Sequence, residues 1–178
     1  RLRHRSQNIL LLLASYLFYG CWDWRFLTLI LISTEVDFVA GRQIERWRNA
    51  DRRGLARLFL IASLVTNLGL LGFFKYFNFF AWGFTRMLSS VGLDASYSTL
   101  KIILPVGISF YTFQTLSYTI DIYRGKMRAI HNPVDFALFV SFFPQLVAGP
   151  IERAHNLIPQ VQSRRTVSRE RVVKGITL

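Results

Sequence analysis

Apolar residues in this chain come in blocks. They run Ile9 to Trp22, Phe26 to Val36, Leu58 to Phe74, Ile102 to Phe113 and Phe136 to Ala148, with charged clusters between them. Blocks of this kind predict membrane helices rather than the amphipathic helices of a soluble fold. The first run, Asn8 to Trp22, follows Arg1, Arg3, His4 and Arg5, and the turn Asp23-Trp24-Arg25 leads into a second run from Phe26 to about Ala40. Gly41 to Arg57 holds six Arg against Glu45 and Asp51 and reads as a basic loop. Two spans return the chain to its starting side, so both basic clusters are expected on the cytoplasmic face.

The third run, Leu58 to about Trp82, is ~37 Å long as a helix and spans with some tilt. Lys75 interrupts it among Phe73, Phe74, Tyr76 and Phe77, the pattern of a lysine snorkelling to the interface inside an aromatic belt. The loop Arg86 to Lys101 carries little charge, as expected on the far side. Residues 104–121, "LPVGISFYTFQTLSYTID", then bring the chain back to Arg124, Lys126 and Arg128. Phe136 to Gly149 is 14 residues, ~21 Å as a helix and short of a ~30 Å hydrocarbon layer. Pro144, Gly149 and Pro150 break it, and Arg153, Arg164, Arg165, Arg169, Arg171 and Lys174 follow. A re-entrant or half-buried segment fits both facts, because irregular backbone at membrane depth needs protein or water around it. The expected fold is all-α and polytopic: about four transmembrane helices plus this segment, in one membrane domain over residues 1–178.

Composition sharpens the picture. The chain has 178 residues, 52% hydrophobic and 15% aromatic, with a net charge of +12. The cations lie between apolar runs, so membrane topology accounts for them and no nucleic-acid partner is expected. Cys21 alone forms no internal disulfide. The basic, apolar start resembles a signal peptide, but Phe18 and Tyr19 stand where cleavage requires small residues, so a retained span is expected. The absence of an initial Met and the onset of an amphipathic pattern at "RVVKGITL" suggest part of a longer protein.

The chemistry concentrates in residues 104–121. Pro105 suits the first turn of a helix. At 3.6 residues per turn, Gly107, Tyr111, Gln114, Ser117 or Tyr118, and Asp121 share one stripe, while Ile108, Thr112, Thr115, Thr119 and Ile122 share another. Lipid would leave Gln114 unpaired at a cost of several kcal/mol, so the stripe faces other helices or a wet cavity. Helix packing and a lined passage both remain open as its use. His4, His131 and His155 have no metal-ligand spacing, and no catalytic residue or metal site is assigned. Glu35 and Asp37, the acids of the second run, are expected at the cytoplasmic boundary.

The strings "LPVGISFYTFQTLSYTIDIYRGK" and "NPVDFALFVSFFPQLVAGPIERAHNLIPQ", with "NILLLLASYLFYGCWDWRFLTLI" and "GFFKYFNFF", resemble the membrane-bound O-acyltransferase (MBOAT) family in its alginate O-acetyltransferase AlgI-like branch. The resemblance implies a helical funnel in the bacterial inner membrane. Such a funnel passes acetyl groups from a cytoplasmic donor, acetyl-CoA, to periplasmic acetyltransferase partners and finally to a polysaccharide. The family's catalytic histidine lies in a Trp-His-Gly context that is missing here, so residues 1–178 alone are expected to be inactive. Tyr111, Gln114 and Ser117, with Pro144, Gln145, Gly149 and Pro150, are the expected funnel-wall residues. D-alanyl transfer to teichoic acid by the same fold, and a transporter or membrane scaffold, are the competing readings.

Overall fold

The computed structural model describes residues 3–90, 92, 104–150 and 152–164. Most of the weakly charged loop and the basic residues from Arg165 onward lie outside them. Among the described residues every regular element is an α-helix. They are α1 (His4–Trp22), α2 (Trp24–Asn49), α3 (Arg53–Ser90), α4 (Ile108–Tyr123), α5 (Pro133–Ser141), α6 (Phe143–Ala148) and α7 (Ala154–Gln162). One of them, α3, is long and apolar enough to cross a membrane.

Local chemistry sets the boundaries. Asp23 leaves helical geometry, and its carboxylate accepts from Arg25 N at 2.9 Å, which caps α2. The segment expected as a basic loop is largely helix: α2 runs unbroken through Arg42 and Arg46 to Asn49. Arg, Gln and Glu are good helix formers, and Gly41 and Ile44 bury themselves on the inner face. The reversal needs only a few residues, with Asp51 at a φ of 56°. The helix at residues 104–121 begins three residues after Pro105, because Gly107 adopts the left-handed conformation at its N-cap. The apolar run near Pro144 breaks at Phe142, between α5 and α6. Pro144 has no N–H, and its ring collides with the carbonyl four residues back in a continuous helix, so the break falls just ahead of it.

Packing centres on α4, which contacts α2, α3, α5 and α7. Tyr118 lies against Phe136, ring centroids 4.7 Å apart, and Phe136 against Phe139 at 5.9 Å. The helix α1 packs on α5 and α6. Asn8 Nδ2 donates to Asp135 Oδ1 at 2.8 Å and to Val161 O at 3.1 Å, joining α1 to α5 and α7. Arg48 donates to Ile122 O, which fastens the C-terminal end of α2 to that of α4. Two basic segments therefore meet at one end of the bundle. The outer faces stay apolar: Leu10, Leu13 and Leu17 on α1, and Val65, Phe79 and Phe80 on α3, are exposed.

Candidate functional site

Both predicted stripes of α4 are buried, and each meets a different set of partners. On the first, Gln114 Nε2 donates to Phe139 O at 2.7 Å. The final carbonyls of a helix have no partner within it. The break at Phe142 ends α5, so Gln114 answers a carbonyl that the break leaves open. On the other side of the break, Phe143 N donates to Ser15 Oγ of α1 at 3.4 Å. Ser117 Oγ accepts from Ala154 N at 3.3 Å at the start of α7 and donates to Gln114 O at 2.8 Å. Asp121 Oδ2 lies 3.4 Å from His155 Nδ1. This stripe thus supports the irregular segment and α7.

The second stripe enters a polar cluster inside the bundle. Asp37, expected at a boundary beside Glu35, is 0% exposed, whereas Glu35 is exposed. Asp37 Oδ1 accepts from Ser63 Oγ at 2.5 Å, and Asn67 Nδ2 donates to the two carboxylate oxygens at 3.0 and 2.8 Å. Ser33 Oγ donates to Asn67 Oδ1 at 2.6 Å. From α4, Thr115 Oγ1 reaches Asn67 Oδ1 at 3.5 Å, and Ser63 Oγ lies 3.3 Å from Thr119 Oγ1. The carboxylate is held by hydrogen bonds from hydroxyl and amide groups, which makes its burial tolerable. Ser33, Ser63 and Asn67 were not singled out from the sequence. The signal was there: Ser33 with Asp37, and Ser63 with Asn67, each four residues apart within an apolar run.

The wall residues are brought together only in part. Tyr111 and Gln114 are buried, Ser117 and Gln145 are half-buried, and Pro144 and Pro150 are exposed. Gly149 closes α6, its N donating to Gln145 O at 2.9 Å. Several buried polar atoms have no hydrogen-bond partner among the described residues: Tyr19 OH of α1 and Tyr111 OH of α4, and separately Thr112 Oγ1 and Gln145 Oε1. A methyl group at Gly107 would stand 3.2 Å from Tyr19 OH and 3.5 Å from Leu146 Cβ. Buried polar atoms are nearly always paired in folded proteins, so this group calls for water or a ligand.

The chain is similar to the probable alginate O-acetylase AlgI of Pseudomonas aeruginosa, 41% identical over 173 residues, or 97% of this chain and 32% of that protein. It is 40% identical to the probable alginate O-acetylase AlgI of Azotobacter vinelandii, over 97% of this chain and 34% of that protein. It is 35% identical to the peptidoglycan O-acetyltransferase of Helicobacter pylori, over 86% of this chain and 32% of that protein. Over most of its length the chain is thus similar to proteins named alginate O-acetylase AlgI or peptidoglycan O-acetyltransferase, in keeping with its resemblance to the AlgI-like branch of the membrane-bound O-acyltransferases. It spans about a third of the length of these curated relatives. No family model matches the chain. No solved structure matches it.

Proposed function

We propose that this protein transfers acetyl groups across the bacterial inner membrane for O-acetylation of alginate or another exopolysaccharide. Similarity to named O-acetylases over 97% of the chain carries the reading. In this scheme α1 to α4 span the bilayer and the α5–α6 break is the re-entrant segment. Exposed apolar side chains on α1 and α3 suit a lipid environment. Acetyl-CoA donates from the cytoplasm, and periplasmic partner proteins complete transfer to the polysaccharide. The polar stripe of α4 and the unpaired phenols beside it form part of the funnel wall. Within such a wall, hydroxyl and amide groups orient the acyl carrier and keep bulk water away from the thioester.

The test is complementation with the full gene product carrying this sequence. A strain lacking its own exopolysaccharide O-acetylase regains ester-linked acetate on its polysaccharide, measured by base-released acetate. Failure to regain it rejects the acetyl-transfer reading. Gln114→Leu lowers that acetate at least severalfold at equal membrane protein level; unchanged acetate rejects the wall assignment. The 35% identity to a peptidoglycan O-acetyltransferase supports peptidoglycan as a second acceptor. Acetate found on muramic acid instead of the exopolysaccharide selects it.

A further inference from the structure

Two cavities meet at the basic end of the bundle. One, of about 440 Å³, lies along the end of α2 and is lined by Arg42, Gln43, Glu45, Arg46, Asn49 and His131, together with Val39. The other, of about 550 Å³, lies between the α4–α5 connection and α7, and its lining includes Lys126, Arg128, Asn132 and His155. His131 lines both, so the two cavities adjoin at this side chain and together make an open trough. Each has the size of a small-ligand site, ~300–1,000 Å³.

The charge of the trough is one-sided. Arg42, Arg46, Lys126 and Arg128 face it with a single carboxylate, Glu45, among the lining residues. Glu45 Oε2 lies 4.0 Å from His131 Nε2, and none of the four cations has a carboxylate within 4.0 Å among the described residues. Membrane topology requires positive charge in this part of the chain, but it does not require those charges to converge on a concave surface without counter-ions. The walls are fixed in advance. Arg42 rests over Phe38, 5.6 Å to the ring centre, and Arg46 over Trp47 at 5.4 Å. The opposite wall is tied down by Ile130 N donating to Tyr118 OH at 3.0 Å, Lys126 N donating to Asp121 O at 2.9 Å, and the Arg48 contact with Ile122 O. Two guanidinium groups one helical turn apart form a fork suited to tetrahedral oxyanions.

We propose that this trough binds the phosphate group of an anionic ligand, either a phospholipid headgroup or a soluble phosphoester, between Arg42 and Arg46 on one wall and Lys126 and Arg128 on the other. The inference goes beyond acetyl transfer and does not depend on it, because binding is read directly.

The experiment uses the full gene product in neutral detergent or in phosphatidylcholine nanodiscs. One arm measures phosphatidylglycerol retention by native mass spectrometry and its affinity by titration. The other measures binding of inorganic pyrophosphate. The double substitution Arg42→Gln/Arg46→Gln weakens at least one probe about tenfold or more, as expected when two charge-assisted contacts are lost. Lys126→Gln/Arg128→Gln repeats the loss from the other wall. Arg53→Gln, at the start of α3 and not part of the lining, changes affinity by less than about twofold, and unfolding midpoints in SDS verify that the variants are folded. Loss of phosphatidylglycerol alone assigns the headgroup, and loss of pyrophosphate alone assigns a soluble ligand. No binding of either probe by the wild type, or equal weakening by Arg53→Gln, overturns the proposal.

Discussion

Gly41→Ala tests the close approach of α2 to α4. A methyl group there would sit 2.5 Å from Tyr118 Cε1, 2.8 Å from its hydroxyl and 2.9 Å from Cζ. Carbon atoms pack comfortably at ~3.5–4.0 Å, so the ring must retreat by about 1 Å. It has little room. Tyr118 is fully buried, Phe136 lies behind it, and its hydroxyl accepts from Ile130 N. Overpacking of this kind costs about 1–3 kcal/mol, and loss of the Ile130 bond adds about 1 kcal/mol. Alanine regains up to about 1 kcal/mol as the better helix former. The net expectation is a destabilisation of about 1–3 kcal/mol. Gly69→Ala is the control, because it sits in α3 with nothing within 4 Å of the added methyl and carries the propensity gain without the clash. Reversible unfolding in mixed micelles against SDS fraction measures both variants. Replacing Tyr118 by Leu in the Gly41→Ala background recovers part of the loss. Equal unfolding midpoints for Gly41→Ala and Gly69→Ala would refute the packing argument.

Substitutions at Asp37, Gly107 and Gln114 probe the polar interior. Asp37→Leu removes the acceptor shared by Ser63 Oγ and Asn67 Nδ2, leaving Asn67 Nδ2 only Ser63 O and Ser63 Oγ only the longer contact with Thr119, at about 1–3 kcal/mol in the same unfolding assay, whereas Asp37→Asn keeps an acceptor and loses less. Equal losses would show that the hydrogen bonds are not what matters. Gly107→Ala imposes about 1–2 kcal/mol for a left-handed alanine and also crowds Tyr19 OH. Gly92→Ala shares the positive φ with nothing within 4 Å among the described residues, so it shows the backbone share alone. Gln114→Leu leaves Phe139 O unanswered and lowers stability by about 1–3 kcal/mol in addition to its effect on acetate.

Much of the helical plan was legible because apolar blocks are long and their charged separators conspicuous. The error at residues 41–49 came from reading charge as loop. Charge reports where a segment lies, not whether its backbone is helical; Gly41, Ile44 and Trp47 still recur at helical spacing on the inner face of α2. The break near Pro144 was legible from proline chemistry, although its position at Phe142 depended on how α5 and α6 dock on α1. The two stripes of α4 followed from periodicity alone. Their partners did not, because Asp37, Asn67 and Phe139 are distant in sequence and only the tertiary fold selects them. The basic trough was hidden for the same reason, since His131 joins Arg42 and Arg46 only after α4 has turned back toward α2.

Since α4 is gripped along two stripes about 100° apart, its freedom of movement is narrow. A twist by one residue, ~100° about its axis, would carry Gln114 away from the α5 carbonyl while Thr115 and Thr119 left the Asp37 cluster. Both losses would come at once, with no intermediate setting in which one side stays satisfied. A working motion that keeps these bonds must therefore carry α4 together with α2, α3 and α5 as one block, with bending at Phe142 between α5 and α6.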